Sequence, residues 1–186
     1  MVINPNKTES LLELGQVDIS QLKATIDKVS DKVWAKETET RENNFGCFHH
    51  TQHIIFRFPD SLDDRTQVHS NPIWDVWSPM LLPILNKAVE PYGYSNGRIK
   101  AVMLAKLLAG YKVDAHTDGS PSYYFLHKIH IPIQTDINVD FYIEPHTYNL
   151  KEGIAYEVNN IVTHSVHNRS DKDRIHLIFE YHDESK

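Results

Sequence analysis

Residues 127–143 read HKIHIPIQTDINVDFYI, and the fold turns on how this stretch is divided. His127 to Gln134 has the length and the isoleucine content of a β-strand, Asp136 to Asn138 supplies turn residues, and Val139 to Ile143 begins a second strand. The same rhythm continues on both sides. Ile99 to Leu108, Lys112 to His116, Ile154 to Val158, Thr163 to His167 and Arg174 to Tyr181 are strand candidates. Between them stand Gly110, Asp118-Gly119-Ser120-Pro121, Glu144-Pro145, Glu152-Gly153, Asn159-Asn160 and the run from Asn168 to Asp173, all turn formers. Short strands at regular spacing predict a mainly β jelly-roll of two packed sheets.

The first half of the chain has another character. Ile19, Leu22, Ile26, Val29 and Val33 recur at helical spacing, which predicts one helix from Asp18 to about Lys36, with Asp18 or Ser20 able to cap it. A second helix is expected from Ile73 to Val89, opened by Pro72 and stopped by Pro91. Gln52 to Phe58 reads as a strand. Helices first and strands afterwards argue against an alternating βαβ fold. With no repeat and no linker-like segment, the expectation is a single domain over 1–186. Residues 1–98 would be a supporting region of helices and a strand, and 99–182 the jelly-roll core.

Composition narrows the function. A formal net charge of -6 and the lack of any Lys/Arg-rich run argue against nucleic acid or an anionic membrane as partner. The single cysteine, Cys47, cannot close an intramolecular disulfide, and the polar start from Met1 to Ser10 lacks the apolar core of a signal peptide. A cytoplasmic location is therefore expected. No apolar stretch approaches the roughly 20 residues of a membrane-spanning helix.

Twelve histidines invite a search for a metal site. In His116-Thr117-Asp118, an extended chain projects residues i and i+2 to one side, so an imidazole and a carboxylate can share one ion. Alone, such a triplet is ordinarily a strand-end histidine beside a turn aspartate. His164, in Val162-Thr163-His164-Ser165-Val166, is the candidate third ligand, with His167 as its rival on the opposite face of the strand. Two histidines and one carboxylate on one face of an octahedral ion leave three positions open, as non-haem Fe(II) oxygenases require. Arg174 opens the last strong strand, and its planar fork suits the distal carboxylate of a chelating keto acid. A pairing with Asp171 or Asp173 is its ordinary alternative.

Several blocks in order then resemble the aspartyl/asparaginyl β-hydroxylases, a family that includes bacterial proline hydroxylases. They are Leu107-Leu108-Ala109-Gly110, His116-x-Asp118, Lys128-Ile129-His130-Ile131-Pro132-Ile133, Leu150-Lys151-Glu152-Gly153, Asn159-Asn160, His164-Ser165-Val166, and Asn168 with Arg174-Ile175-His176-Leu177. The resemblance implies a cupin-like double-stranded β-helix in which His116, Asp118 and His164 bind Fe(II) and Arg174 binds 2-oxoglutarate. Lys128, where the family commonly has arginine, and His130 would be auxiliary contacts to that cosubstrate. It further implies hydroxylation, with dioxygen, of an unactivated C–H in an amino acid or in an Asp, Asn or Pro residue of a peptide or protein. Two other readings stay open: a cupin-like Zn or Mn hydrolase or isomerase, and a non-catalytic β-sandwich binding module.

The remaining candidates are mostly structural. Ile131, Ile133, Val166 and Ile178 are expected to keep the site dry, Tyr123 and Tyr124 to contact substrate, and His49, His50 and His53 to border its mouth. His176 is read as packing behind Arg174, Trp74 and Trp77 as core or interface, and Cys47 as a small apolar residue. The sequence does not indicate an oligomeric state.

Overall fold

A computed structural model of the chain describes residue 7, residues 9–42 and residues 44–185. Most of the polar start named above therefore lies outside the described residues. In chain order the strands are β1 (Leu11–Gln16), β2 (Thr51–Pro59), β3 (Val68–Ser70), β4 (Gly97–Leu107), β5 (Lys112–His116), β6 (His127–Gln134), β7 (Val139–Ile143), β8 (His146–Tyr148), β9 (Ile154–Val158), β10 (His164–Asn168) and β11 (Arg174–Asp183). The helices are α1 (Ser20–Ile26), α2 (Asp31–Glu39) and α3 (Ile73–Val89). All strand pairs are antiparallel and form two sheets, one ordered β1-β9-β6-β11-β4-β2-β3 and the other β5-β10-β7-β8.

Strand alternation gives the large sheet two unlike faces. On one face, Ile54, Phe56, Val102, Leu104, Ile129, Ile131, Leu177 and Phe179 bury against Leu22 and Ile26 of α1, Trp34 of α2, and Leu81 and Leu85 of α3. The other face meets the small sheet. There Leu107, Tyr156 and Val158 pack on Val113, Val139, Phe141, Ile143 and Val166 at one end. Toward the other end, Ile55, Phe58 and Met103 form a smaller apolar cluster, and a cavity of about 430 Å³ opens between the sheets.

The jelly-roll, α3 and the long strands agree with the sequence reading. The helix expected from Asp18 to Lys36 is instead two, broken where Ser30 turns extended (φ -70°, ψ 154°). The break lets α1 pack on α3 and β6 while α2 packs on β2, so Leu22 and Trp34 each find their own part of the core. Asp18 accepts a hydrogen bond from the Ser20 amide at 2.9 Å and so supports the start of α1. The expected strand Thr163 to His167 is shifted by one residue. Strands β1, β3 and β8 lie at or near sheet edges and are additional. Ile131 and Ile133 do not line the cavity: with Lys128 and His130 facing it, period-two alternation sends these isoleucines to the helix side.

Four buried histidines, His53, His130, His164 and His176, line or adjoin the space between the sheets. Burial disfavours their charged forms, pulling His53 down to about 3 and His164 to about 4, and His130 and His176 well below the usual imidazole range. The unfolded chain takes up these protons more readily than the folded one. Stability is therefore fully present above about pH 6.5 and is lost as pH falls toward about 4. Thermal denaturation should show Tm falling across that window, and a flat profile would contradict the burial of these rings. Leu177, fully buried on β11, sets the scale for the core: Leu177→Ala should cost about 2–5 kcal/mol in urea denaturation. Val76→Ala, at a position 77% exposed, should stay within about 0.5 kcal/mol. Comparable losses in the two variants would count against this core.

Candidate metal centre and adjoining cavity

His116 ends β5 and His164 begins β10, and the two are register partners across the pair, so their rings come within 4.3 Å, centroid to centroid. Asp118 follows in the loop after β5, and its amide donates to Asn160 O at 2.9 Å, which pins that loop. The metal-binding atoms of His116, Asp118 and His164 all lie within 4.8 Å of one another. His167 is not among them. It lies on the outer surface of the small sheet, beside Asp140 and Arg169, as alternation along β10 requires.

Hydrogen bonds prepare the three groups for a cation. His116 Nδ1 lies 2.7 Å from Asp114 O, and His164 Nδ1 lies 3.0 Å from Val162 O. A carbonyl only accepts, so each Nδ1 carries the proton and each Nε2 keeps its lone pair for a metal. Asp118 Oδ2 accepts from Lys128 Nζ at 2.5 Å and from Asn160 Nδ2 at 2.7 Å, while Oδ1 faces His116 Nε2 at 3.9 Å. Burial pushes the Asp118 carboxyl upward, but Lys128, His164 and the hydrogen bonds from Lys128 and Asn160 outweigh it and hold the group well below the usual carboxylate range. Buried Lys7 donates to Asn160 Oδ1, extending the chain of polar contacts behind the carboxylate. Two imidazole nitrogens and an ionised carboxylate oxygen suit a divalent transition ion.

Arg174 lines the same cavity at 4% exposure. Its Nη2 donates to His176 Nδ1 at 2.8 Å, its guanidinium lies 5.5 Å from the Phe141 ring centre, and its Nε has no partner. The alternative pairing is not made: Asp173 accepts from the Ala109 amide and approaches Lys106, and no carboxylate pairs with Arg174 among the described residues. Burial pulls the Arg174 guanidinium down to about 9, so it remains cationic at neutral pH with no local counter-charge. His130, also buried, lines the cavity with an unpartnered Nδ1. Lys128 lines it too, with its ammonium engaged by Asp118.

Of the other expectations, Val166, Ile178, Tyr123, Cys47 and His53 line the cavity, whereas Tyr124 is exposed away from it. His49 and His50 follow the cavity-lining Cys47 and Phe48 in the chain without lining the cavity themselves, and His50 stacks on Tyr111. Trp74 and Trp77 pack against the helix-side core. Sequence reasoning missed Lys7, Arg65 and Glu180. Each acts through a residue far away in the chain, so no local spacing marks it.

A sequence profile described as aspartyl/asparaginyl beta-hydroxylase matches residues 77–183. No curated protein sequence matches the chain. Among solved structures, an oxidoreductase of the 2OG-Fe(II) oxygenase family from Burkholderia pseudomallei is similar at 12% identity and TM-score 0.58, over 88% of this chain and 78% of that one. A viral collagen prolyl hydroxylase from Paramecium Bursaria Chlorella virus-1, in complex with 2OG, is similar at 10% identity and TM-score 0.54, over 94% and 96%. A Pseudomonas putida prolyl-4-hydroxylase is similar at 10% identity and TM-score 0.50, over 94% and 93%. At these identities the structural likeness speaks for the fold. Because the matched segment is more than half of the chain and contains β5, β6, β10 and β11, the strands that bring the His–Asp–His cluster and Arg174 to one cavity, the chain belongs to the aspartyl/asparaginyl β-hydroxylase family.

Proposed function

We propose that this protein is an Fe(II)- and 2-oxoglutarate-dependent hydroxylase, with His116, Asp118 and His164 as iron ligands and Arg174 as the anchor of 2-oxoglutarate. One observation carries this reading: a prepared three-ligand cluster shares its cavity with a buried guanidinium that has no acidic partner among the described residues. A Zn or Mn hydrolase would use the cluster and leave Arg174 without a role. When bound, iron and 2-oxoglutarate supply the oxidising chemistry that converts substrate C–H to C–OH with dioxygen, leaving succinate and carbon dioxide.

The chain's own residues do the rest. Hydrogen bonds from Lys128 and Asn160 fix Asp118 Oδ2, which leaves Oδ1 as the ligand atom. Backbone carbonyls hold both histidines in the tautomer that ligates through Nε2. Arg174 presents a charged edge to the distal carboxylate of the cosubstrate, and His130 offers a ring nitrogen beside it. Lys128, bonded to Asp118, adds positive charge near the cosubstrate rather than a fork of donors. Ile178 and Val166 limit water at the reacting carbon. The substrate would be an amino acid or an Asp, Asn or Pro residue of a peptide or protein, in a cytoplasmic setting. No helix among the described residues is long and apolar enough to cross a membrane.

Loaded with Fe(II) under anaerobic conditions, the protein should develop a weak visible charge-transfer band when 2-oxoglutarate is added, and should release succinate slowly in air without prime substrate. A folded, iron-loaded sample that shows neither, with a panel of amino acids present, would sink the oxygenase reading. Charge-assisted hydrogen bonds contribute about 1.5–3 kcal/mol each. Titration calorimetry on the Mn(II) form should therefore find Arg174→Ala about tenfold to a hundredfold weaker for 2-oxoglutarate, with metal affinity little changed. Lys128→Ala should weaken 2-oxoglutarate less. A larger loss at Lys128 than at Arg174 would reverse the two roles.

A further inference from the structure

The cavity continues past the metal cluster to a second buried arginine. Side chains of Arg174, Ile178 and Glu180 all line it from β11, so it runs about 20 Å along that strand at about 3.3 Å per residue. Glu180 lies opposite Lys128 in the β6–β11 register, which puts this far end close to Asp118. Arg65, from the loop between β2 and β3, is 5% exposed there. Its Nε donates to both Glu180 oxygens at 3.0 and 3.2 Å, and its Nη2 to Oε1 at 2.6 Å. The guanidinium also sits 4.8 Å from the Tyr123 ring centre and 5.9 Å from that of Phe58, and Tyr123 donates to Glu180 Oε1 at 3.2 Å.

This arrangement leaves one edge of the arginine unused. Nη1 has no hydrogen-bond partner among the described residues, and Arg65 is one of the residues that line the cavity. Beside it the wall is apolar, made by Phe58, Met103 and Ile178. A guanidinium held by Glu180 and two rings is a rigid donor, and a donor of that kind beside an apolar wall matches an oxygen anion attached to a short aliphatic group. Arg65 and Arg174 thus offer two separate anion sites at opposite ends of one cavity, with the metal cluster along its side.

We propose that Arg65 is a specificity residue: its Nη1 edge binds a carboxylate of the prime substrate, whose aliphatic part lies on Phe58, Met103 and Ile178. The term "prime substrate" rests on the hydroxylase reading, whereas the binding site itself does not. The carboxylate can belong to a free small acid or to a protein chain, since the cavity reaches the surface at Phe45 and Leu62, both exposed.

The test uses the metal-free full chain, with butanoate as probe and 1-butanol as the uncharged control, followed by NMR of arginine Nε–H groups. Butanoate should shift the Arg65 signal in wild type and in Arg174→Ala alike, and should bind the Arg65→Lys/Arg174→Ala double variant about tenfold more weakly than Arg174→Ala, where the second anion site is absent. Glu180→Gln removes the competing carboxylate and should tighten butanoate about threefold or more, an effect that a purely structural ion pair would not produce. If the double variant does not fold, the wild-type shift and Glu180→Gln decide. Butanoate that leaves the Arg65 signal unmoved in wild type or in Arg174→Ala overturns the proposal. So does butanol binding as well as butanoate. A peptide ending in valine that binds tighter than butanoate assigns the site to a protein-borne carboxylate, and weaker binding assigns it to a free acid. Failure of 2-oxoglutarate to bind the Mn(II) form, with the Arg65 results intact, would remove the hydroxylase reading and leave this site standing.

Discussion

A guanidinium buried on a central strand, with no carboxylate beside it among the described residues, is the most demanding feature of this chain. Removing a charge of that size from water costs several kcal/mol even after relaxation. Arg174 recovers part of this through His176 and the face of Phe141, and the neighbouring imidazoles stay neutral and add no repulsion. The rest of the cost is left standing in the folded protein. A dianionic ligand would offset it on arrival, so the cost of burying the charge becomes affinity and selectivity.

The large sheet supports this with a division of labour between its faces. Along β6 and β11, Ile129, Ile131, Leu177 and Phe179 anchor the helices, while Lys128, His130, Arg174 and Glu180 look into the cavity. Each polar side chain is thus backed by a neighbour locked in a packed core. A charge placed on so rigid a support keeps its direction, which is what orientation of a small ligand demands.

Much of this was legible in the sequence, for local reasons. His116 with Asp118, His164, and Arg174 stand at or just beyond strand ends, where turn residues mark the boundaries and alternation sets the direction of each side chain. The same rule, applied loosely, misassigned Ile131 and Ile133 to the cavity: Lys128 and His130, just before them on the strand, had already taken that face. Lys128 shows a different limit, since a flexible ammonium can reach either of two anions and its choice of Asp118 depends on the loop that Asn160 pins. The break at Ser30 and the short strands β1, β3 and β8 were hidden because they depend on what they pack against or pair with. Arg65 with Glu180 and Lys7 with Asn160 join distant parts of the chain, and no spacing records such a meeting.

The register match of His116 with His164 has a mechanical side. Among the described residues, β5 is an edge strand whose only partner in its sheet is β10, and the three candidate ligands sit across the seam between them or in the loop that leaves it. An ion held there would act as a rivet at the edge of the small sheet, fastening β5 and the loop of Asp118 to β10. Loss of the ion would then loosen one strand edge and leave the rest of the jelly-roll closed, so that the state of the cluster would be written into the protease resistance and amide exchange of residues 112–118.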